Sequence, residues 1–329
     1  MTPLNSPAYL PIEFDYPGNQ VKIAKMNESD YQKSIFILSK GEGRGFLHYQ
    51  DIFEYSLSEF LSQNSQDRKE PYFIFHHGFC CSTLLSRLIE GRFQTLSLRE
   101  PPGINWATHF KKNSSDWTKE KQDLFLGLKY LHGRTFTSNQ RAIVKCSDYV
   151  SYQLTDFLNQ NTKSIFLYSN LEEFIASCSK EQRDVWIANR ANYEELKNSF
   201  GYQNEIDIND TPTQATLYWC MQIAKFLENP YPGNSFSLNM TRIFSEPNLM
   251  KTIGDFFKLK ERYLFSKNRN LNEIMSSYSK TGDYDYSFKK RMSIINKILQ
   301  DKNIYTQYYT DLANDILGNK LLQLKETAL

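Results

Sequence analysis

The sequence has no long apolar run, no strong excess of charge and no signal for export. Its 329 residues carry 39 Lys and Arg against 37 Asp and Glu, a net charge of +2. No field that attracts nucleic acid or a membrane surface is therefore expected. No stretch reaches the ~20 apolar residues of a membrane span, and the start, M-T-P-L-N-S-P-A-Y-L, lacks the basic and apolar regions of a signal peptide. These absences predict a protein with neither nucleic-acid nor membrane partners.

Cysteine is scarce and scattered. The chain has five, and none has zinc-ligand spacing: Cys80, Cys81, Cys146, Cys178 and Cys220. An odd number at these positions favours free thiols in a reducing cytoplasm. We therefore predict a cytoplasmic protein without a metal site. The 40% hydrophobic and 15% aromatic content is that of a globular chain.

The most informative stretch runs from residue 72 to residue 102. Its apolar start, Tyr72 to Phe75, predicts a strand that is buried on both faces. The chain then turns at Gly78, and apolar residues at helical spacing predict a helix from Ser82. The N–H groups of the first helical turn and the hydroxyls of Ser82 and Thr83 point to one place, which predicts an anion site.

The Walker pattern is absent from this stretch because no Gly-Lys precedes Ser82. The spacing instead resembles the phosphosulfate loop of P-loop sulfotransferases, which reads roughly P-[KR]-S-G-T-T-x-L. On that pattern, the loop positions in order are taken by Gly78, Phe79, Cys80, Cys81, Ser82 and Thr83. The resemblance implies that these residues, Phe79 apart, bind the sulfate donor. Phe79 stands where the family has a cation.

A second motif lies further along the chain. After a predicted strand at Lys163 to Tyr168 comes S-N-L-E-E-F-I-A-S, which resembles the family's R-D-P-R-x-x-x-x-S. In the family that motif holds the donor's 3′-phosphate. Ser177 falls on the final Ser, whereas Ser169 stands at the position of the first Arg. With a third similarity near Glu246-Pro247, the resemblance covers about residues 72 to 259.

Strands and helices alternate along the chain, which predicts a parallel α/β sheet. Further strands are predicted at Gln94 to Leu98, Arg141 to Cys146 and Ser235 to Met240. The predicted fold class is α/β, a three-layer P-loop sulfotransferase-like parallel sheet flanked by helices, with a helical C-terminal part. We expect an N-terminal extension of mixed α/β character over 1–69 and the P-loop sulfotransferase-like domain over 70–329, of which 260–329 is helical. A helix is expected over residues 51–61, a polar connection over 109–112 and a helix capped by Ser115.

Three residues are the candidates for catalysis. Glu100 follows the second predicted sheet strand, and ligands of open α/β sheets lie beyond the carboxyl ends of the strands. The resemblance implies a general base there; the alternative is a carboxylate that caps a turn or pairs with Arg99. Lys145 ends the third strand, where family members carry a Lys that touches the transferring group; the alternative is an exposed lysine at a strand end. His77, next to Gly78, is the third candidate. The alternative interpretation is that His77 is a buried core histidine without a catalytic role.

Two arginines could replace the missing motif cations. Arg183 and Arg190 are seven residues apart, two turns along one helical face, and guanidinium groups suit the binding of a 3′-phosphate. Trp186 lies between them and could stack on adenine. The alternative is a solvated charged face with one buried Trp.

Three hypotheses about function remain open from the sequence. The first is a sulfotransferase-like enzyme that transfers a sulfuryl group from 3′-phosphoadenosine 5′-phosphosulfate to a hydroxyl acceptor. The expected partner is a small molecule, a glycan or a peptide that carries this hydroxyl, and the sequence does not separate these classes. The second is another P-loop nucleotide-binding protein or kinase, with Asp148 as its magnesium ligand. The third is a P-loop fold that binds without catalysis, which Phe79 and Ser169 favour.

Overall fold

A computed structural model describes residues 3–15, 20–34, 36–37, 51–63, 69–113, 118–151, 153–180, 182–191, 194, 202, 205–262, 274–275 and 287–328. The described strands form two sheets. The N-terminal sheet is antiparallel, in the order β1-β2-β3, and consists of β1 (Tyr9–Asp15), β2 (Gln20–Lys25) and β3 (Ile52–Ser56). The central sheet consists of β4 (Tyr72–His76), β5 (Thr95–Arg99), β6 (Arg141–Lys145), β7 (Ser164–Tyr168) and β8 (Ser235–Asn239).

The central sheet is parallel throughout and has the order β5-β6-β4-β7-β8. Strand β4 lies in the middle, and the chain passes from it first to one side and then to the other. The carboxyl end of β4 is therefore the topological switch point, where open α/β sheets bind their ligands.

Helices cover both faces of the central sheet. They are α1 (Glu28–Lys33), α2 (Leu57–Gln63), α3 (Ser82–Arg92), α4 (Pro102–Asn113), α5 (Lys119–Leu131), α6 (Asp148–Ser151), α7 (Leu154–Phe157), α8 (Leu171–Cys178), α9 (Asp184–Ala188), α10 (Thr211–Leu227), α11 (Arg242–Ser245), α12 (Leu249–Phe257), α13 (Phe288–Asp301), α14 (Thr306–Leu317) and α15 (Lys320–Glu326). Within the described part of the chain, no helix combines the length and the apolar character that crossing a membrane requires.

The alternation of side chains along β4 separates two cores. Phe73 and Phe75 join the core that α4, α5, α8 and α10 cover, whereas Tyr72 and Ile74 join the core under α3 and α12. Because all five residues of β4 are buried, the strand reads as a continuous apolar run, as a central parallel strand does. The predicted α/β class, a parallel sheet between helical layers with a helical C-terminal part, is confirmed.

The N-terminal segment is fastened to the edge strand β5 by a buried arginine. Arg99 donates to the backbone oxygens of Tyr31 and Ser34, at 3.0 and 2.8 Å, and forms a buried ion pair with Glu90. The N–H of Ile37 donates to the Arg99 carbonyl at 2.9 Å. These contacts hold Tyr31, Ser34 and Ile37 at the edge of the sheet. The division into 1–69 and 70–329 stays a prediction.

Three local predictions are wrong. The helix expected over 51–61 begins as strand β3, because Ile52, Phe53 and Tyr55 favour strands and pair with β2. The expected polar connection over 109–112 is the end of α4, whose first residue is Pro102, the position where helices tolerate proline. The cap of α5 is Thr118, whose hydroxyl accepts from the N–H of Lys121; Ser115 lies outside the described residues.

Candidate functional site: a cationic cavity at the carboxyl ends of the central strands

A cavity of about 590 Å³ opens where β4, β5 and β6 end, a volume within the usual range of ligand pockets. It contains ten of the eleven predicted site residues, and those ten come from four separate stretches of the chain. They are Gly78, Cys80, Cys81, Ser82, Thr83, Glu100, Lys145, Ser177, Arg183 and Arg190. The fold therefore brings together the residues on which the sequence analysis relied. Their roles stay predictions.

The loop between β4 and α3 has an unusual backbone. Gly78, Phe79 and Cys81 have positive φ values of 93°, 51° and 63°, and for residues other than glycine such conformations cost about 1–2 kcal/mol. Cys81 is the N-cap of α3, and its side chain makes no capping hydrogen bond. The first N–H groups of α3 therefore lack a side-chain cap at the point where Ser82 and Thr83 line the cavity.

His76 holds this loop in place. Its Nδ1 accepts a hydrogen bond from the Gly78 N–H at 2.9 Å, and its Nε2 lies 2.8 Å from the carbonyl oxygen of Cys146. One neutral tautomer satisfies both contacts, with Nε2 donating to Cys146. His76 therefore ties the loop to the end of β6.

Glu100 and Lys145 form an ion pair inside the cavity. Their backbones are joined too, because the Glu100 N–H donates to the Lys145 carbonyl at 2.7 Å. Glu100 has a φ of 53°, which turns its side chain out of the strand direction directly after β5. The Lys145 side chain is only 1% exposed, and its Nζ lies 5.3 Å from the ring centre of Phe36. A carboxylate and an ammonium group thus adjoin the loop.

Positive charge dominates the charged lining of the cavity. Of the charged residues that line it among those the structure describes, five are cationic and two are acidic. The cations besides Lys145 are Lys180, Arg183, Arg190 and Arg291, which we call the cationic wall. The pKa of Lys180 is lowered to about 8, first by burial and then by the charges of Arg183 and Arg291. An anion that binds between a lysine and neighbouring cations stabilises the protonated form of that lysine. The wall is thus suited to a ligand that carries several negative charges.

Aromatic rings back this wall. The ring of Phe79 lies 4.7 Å from that of Trp186, and the guanidinium of Arg183 lies 4.3 Å from the Phe79 ring centre. Arg190 stacks similarly on Trp186, at 4.2 Å, and forms an ion pair with Asp148 at 2.6 Å. The two guanidinium groups are therefore held in fixed positions by stacking.

His77 lies outside the cavity. It is fully buried, its Nε2 accepts from the Ser169 N–H at 2.8 Å, and its ring packs edge-on against Phe174 at 4.5 Å. Burial lowers the pKa of His77 to about 3, so the ring is neutral at pH 7. The structure thus separates His77 from Glu100 and Lys145, and we give it no part in the function proposed below.

The lining residues that were not identified from the sequence include Phe36, His109, Lys180 and Arg291. Phe36 and Arg291 reach the site from 42 residues before Gly78 and 213 residues after it, a distance at which no local pattern carries a signal. His109 stacks on Tyr149 at 4.5 Å, and burial followed by the charge of Lys112 lowers its pKa. Lys180 was within reach of sequence reasoning, because it lies three residues after Ser177.

No protein-family model matches the chain, and no curated protein matches its sequence. Among solved structures, the chain is similar to a sulfotransferase domain from the curacin biosynthetic pathway, with 12% identity, a TM-score of 0.40, and coverage of 73% of this chain and 99% of that one. It is also similar to the sulfotransferase STF9 from Mycobacterium avium, with 8% identity, a TM-score of 0.36, and coverage of 74% and 81%. At these identities and scores the similarity carries no argument, and the fold class rests on the sheet and helices described above.

Proposed function

We propose that the protein is a sulfotransferase that takes a sulfuryl group from 3′-phosphoadenosine 5′-phosphosulfate and passes it to a hydroxyl acceptor. The observation that carries the proposal is the content of one cavity. The uncapped start of α3 with Ser82 and Thr83, the Glu100–Lys145 pair and a cationic wall all meet there. Transfer of such a group requires mainly positioning and charge stabilisation, which amides, hydroxyls and cations supply.

The residues divide into two groups by position. The N–H groups at the start of α3 and the hydroxyls of Ser82 and Thr83 would bind the phosphosulfate end. Ser177, Lys180 and Arg183 would bind the 3′-phosphate, and Trp186 lies beside them for the adenine ring. A cation from elsewhere in the chain is needed at this end, because Ser169 stands at the position of the motif arginine. Ser169 carries no charge and is fully buried.

Glu100 and Lys145 would act at the acceptor. The donor, once bound, supplies the sulfuryl group, and its S–O bond to phosphate breaks as the acceptor oxygen bonds to sulfur, leaving adenosine 3′,5′-bisphosphate. Glu100 takes the proton of the acceptor hydroxyl, a role worth roughly 10²–10⁴-fold in rate. Lys145, already in contact with Glu100, places positive charge beside the transferring group.

The kinase hypothesis needs a carboxylate that can take Mg²⁺. Asp148, its candidate, forms an ion pair with Arg190 and accepts a hydrogen bond from the Tyr218 hydroxyl at 3.0 Å. Asp148 is therefore already engaged by Arg190 and Tyr218, and no Gly-Lys precedes Ser82 to complete a Walker site. For these two reasons we favour phosphoryl transfer less.

Thermal unfolding with three additions tests the proposal: adenosine 3′,5′-bisphosphate, ATP with Mg²⁺, and buffer. A ligand at 100 times its Kd adds about 2.7 kcal/mol to the stability of the native state. Stabilisation by the bisphosphate supports the proposal, whereas stabilisation by ATP with Mg²⁺ alone supports a kinase. No shift with either would leave the non-catalytic hypothesis.

Two serines of α3 provide matched variants. Ser82→Ala should remove most of the bisphosphate shift, because this hydroxyl lines the cavity. Ser86→Ala is the control: Ser86 lies one turn further along α3, and its buried hydroxyl has no hydrogen-bond partner, so the shift should be unchanged. Equal shifts in the two variants would contradict the assignment of the donor site.

A further inference from the structure

Arg291 reaches the β4–α3 loop from the far end of the sequence. It lies in the first turn of α13, and its Nη2 donates a hydrogen bond of 2.9 Å to the carbonyl oxygen of Phe79. The side chain also lines the cavity, together with Ser82 and Thr83. A guanidinium group is therefore fixed against the loop by a residue 212 positions away from it.

The loop itself has no cationic side chain. From Gly78 to Thr83 it reads G-F-C-C-S-T, and the Phe79 ring packs on Trp186 and Phe174, with ring centres 4.7 and 6.3 Å apart. The N–H groups at the start of a helix carry only about half an elementary charge. An anion seated on this loop therefore requires positive charge from outside it.

The charge of Arg291 acts on groups all around the loop. It contributes to lowering the pKa of His77, which precedes the loop, and that of Lys180 on the cationic wall. It also opposes the raised pKa of the buried Cys80 thiol within the loop. Together with the hydrogen bond to Phe79, these effects place the guanidinium charge at the loop.

We propose that Arg291 is the cation of this loop: it binds the anionic group seated at the N-terminus of α3 and supplies the charge that Phe79 cannot. The ligand's identity rests on the proposed function, whereas the anion site itself does not. Arg291 fits the task because a guanidinium presents several donors in a rigid fork. One donor, Nη2, holds the Phe79 carbonyl, and the same side chain lines the cavity beside Ser82 and Thr83.

Affinity for two probes tests this assignment in the full chain. The probes are adenosine 3′,5′-bisphosphate and pyrophosphate, each with EDTA, and calorimetry gives the Kd. A hydrogen bond to a charged group contributes about 1.5–3 kcal/mol, so Arg291→Met should weaken binding of both probes about 10- to 150-fold. Lys289→Met removes a charge from an exposed position of the same helix and should leave both Kd values unchanged.

Two further variants separate charge from structure. Arg291→Gln keeps a donor for the Phe79 carbonyl but has no charge, and it should bind as weakly as Arg291→Met. The double variant Phe79→Lys with Arg291→Met returns a cation to the loop. It should bind both probes at least tenfold more tightly than Arg291→Met alone. Recovery excludes misfolding as the cause of the loss.

The outcomes distinguish the two proposals. If pyrophosphate binds and adenosine 3′,5′-bisphosphate binds no more tightly than pyrophosphate, the sulfotransferase proposal fails. The Arg291 variants then still test the loop cation with pyrophosphate. If the bisphosphate binds equally to the wild type, Arg291→Met and Arg291→Gln, the inference about Arg291 is overturned and the proposed function stands. Failure of the wild type to bind either probe would overturn both.

Discussion

The charge of Lys180 makes a prediction about pH. Lys180 lines the cavity, and its pKa is lowered to about 8, first by burial and then by Arg183 and Arg291. An anion bound between these cations opposes the repulsion, so it raises the pKa of Lys180. Binding is therefore linked to proton uptake at pH values above about 8.

The size of the effect follows from this linkage. The protein with protonated Lys180 binds the anion better. Well below pH 8 Lys180 is fully protonated and does not make the affinity depend on pH, whereas above pH 8 the affinity falls. The fall approaches tenfold per pH unit, and at pH 9 the Kd of adenosine 3′,5′-bisphosphate should be roughly tenfold higher than at pH 7, a difference of about 1.4 kcal/mol. The phosphates of the ligand do not contribute, because their second pKa is near 6.

Calorimetry at pH 7, 8 and 9, in pairs of buffers with different ionisation enthalpies, measures both affinity and proton uptake. The Lys180→Met variant should bind more weakly at pH 7, and its Kd should change little between pH 7 and pH 9. Lys289→Met should keep the pH dependence of the wild type. A wild-type Kd that is the same at pH 7 and pH 9, or a pH dependence that survives in Lys180→Met, would refute the reasoning.

Three further predictions concern stability. Glu90→Ala should lower the free energy of unfolding in urea by roughly 3–5 kcal/mol, because it leaves the charge of Arg99 buried alone, whereas Glu228→Ala on the surface should change it by less than about 0.5 kcal/mol. Burial lowers the pKa of His77 to about 3, so the neutral ring contributes fully to stability above the unfolded-state pKa of about 6.5. Below that pH the free energy of unfolding declines by up to about 1.4 kcal/mol per pH unit. In His77→Gln the urea midpoint should therefore depend less on pH between pH 7 and pH 4. Gly78→Ala should lower the melting temperature and weaken bisphosphate binding, because φ is +93° and the added Cβ would lie 3.3 Å from an indole ring.

The strand-loop-helix unit could be read from the sequence because its signals are local. The apolar run of β4, the turn at Gly78 and the apolar residues of α3 all lie within one stretch. Strands β5 and β6 were predicted for the same reason, with their ends within one residue, and parallel pairing then brings Glu100 beside Lys145. Fold rules therefore place the candidate base Glu100 and the cation Lys145 together without any information about side-chain contacts.

The rest of the site depends on contacts between distant segments. Phe36 reaches Lys145 because Arg99 holds the backbone of residues 31–34 against the sheet edge. Arg291 reaches the loop because α13 packs beside α8. Neither residue lies in a local motif. Helix periodicity could place Arg291 in a helix, but it could not show which element that helix packs against. The strand β3 was missed for the same reason, since its pairing with β2 decides its structure.

The position of Ser169 explains why the cations lie elsewhere. Ser169 is fully buried, its N–H donates to His77 at 2.8 Å, and its carbonyl accepts from the Trp219 indole N–H at 3.0 Å. A charged side chain at 169 would enter this packed region and lose its hydration, at a cost of several kcal/mol. In place of that motif cation, Lys180, Arg183 and Arg291 bring positive charge to the cavity.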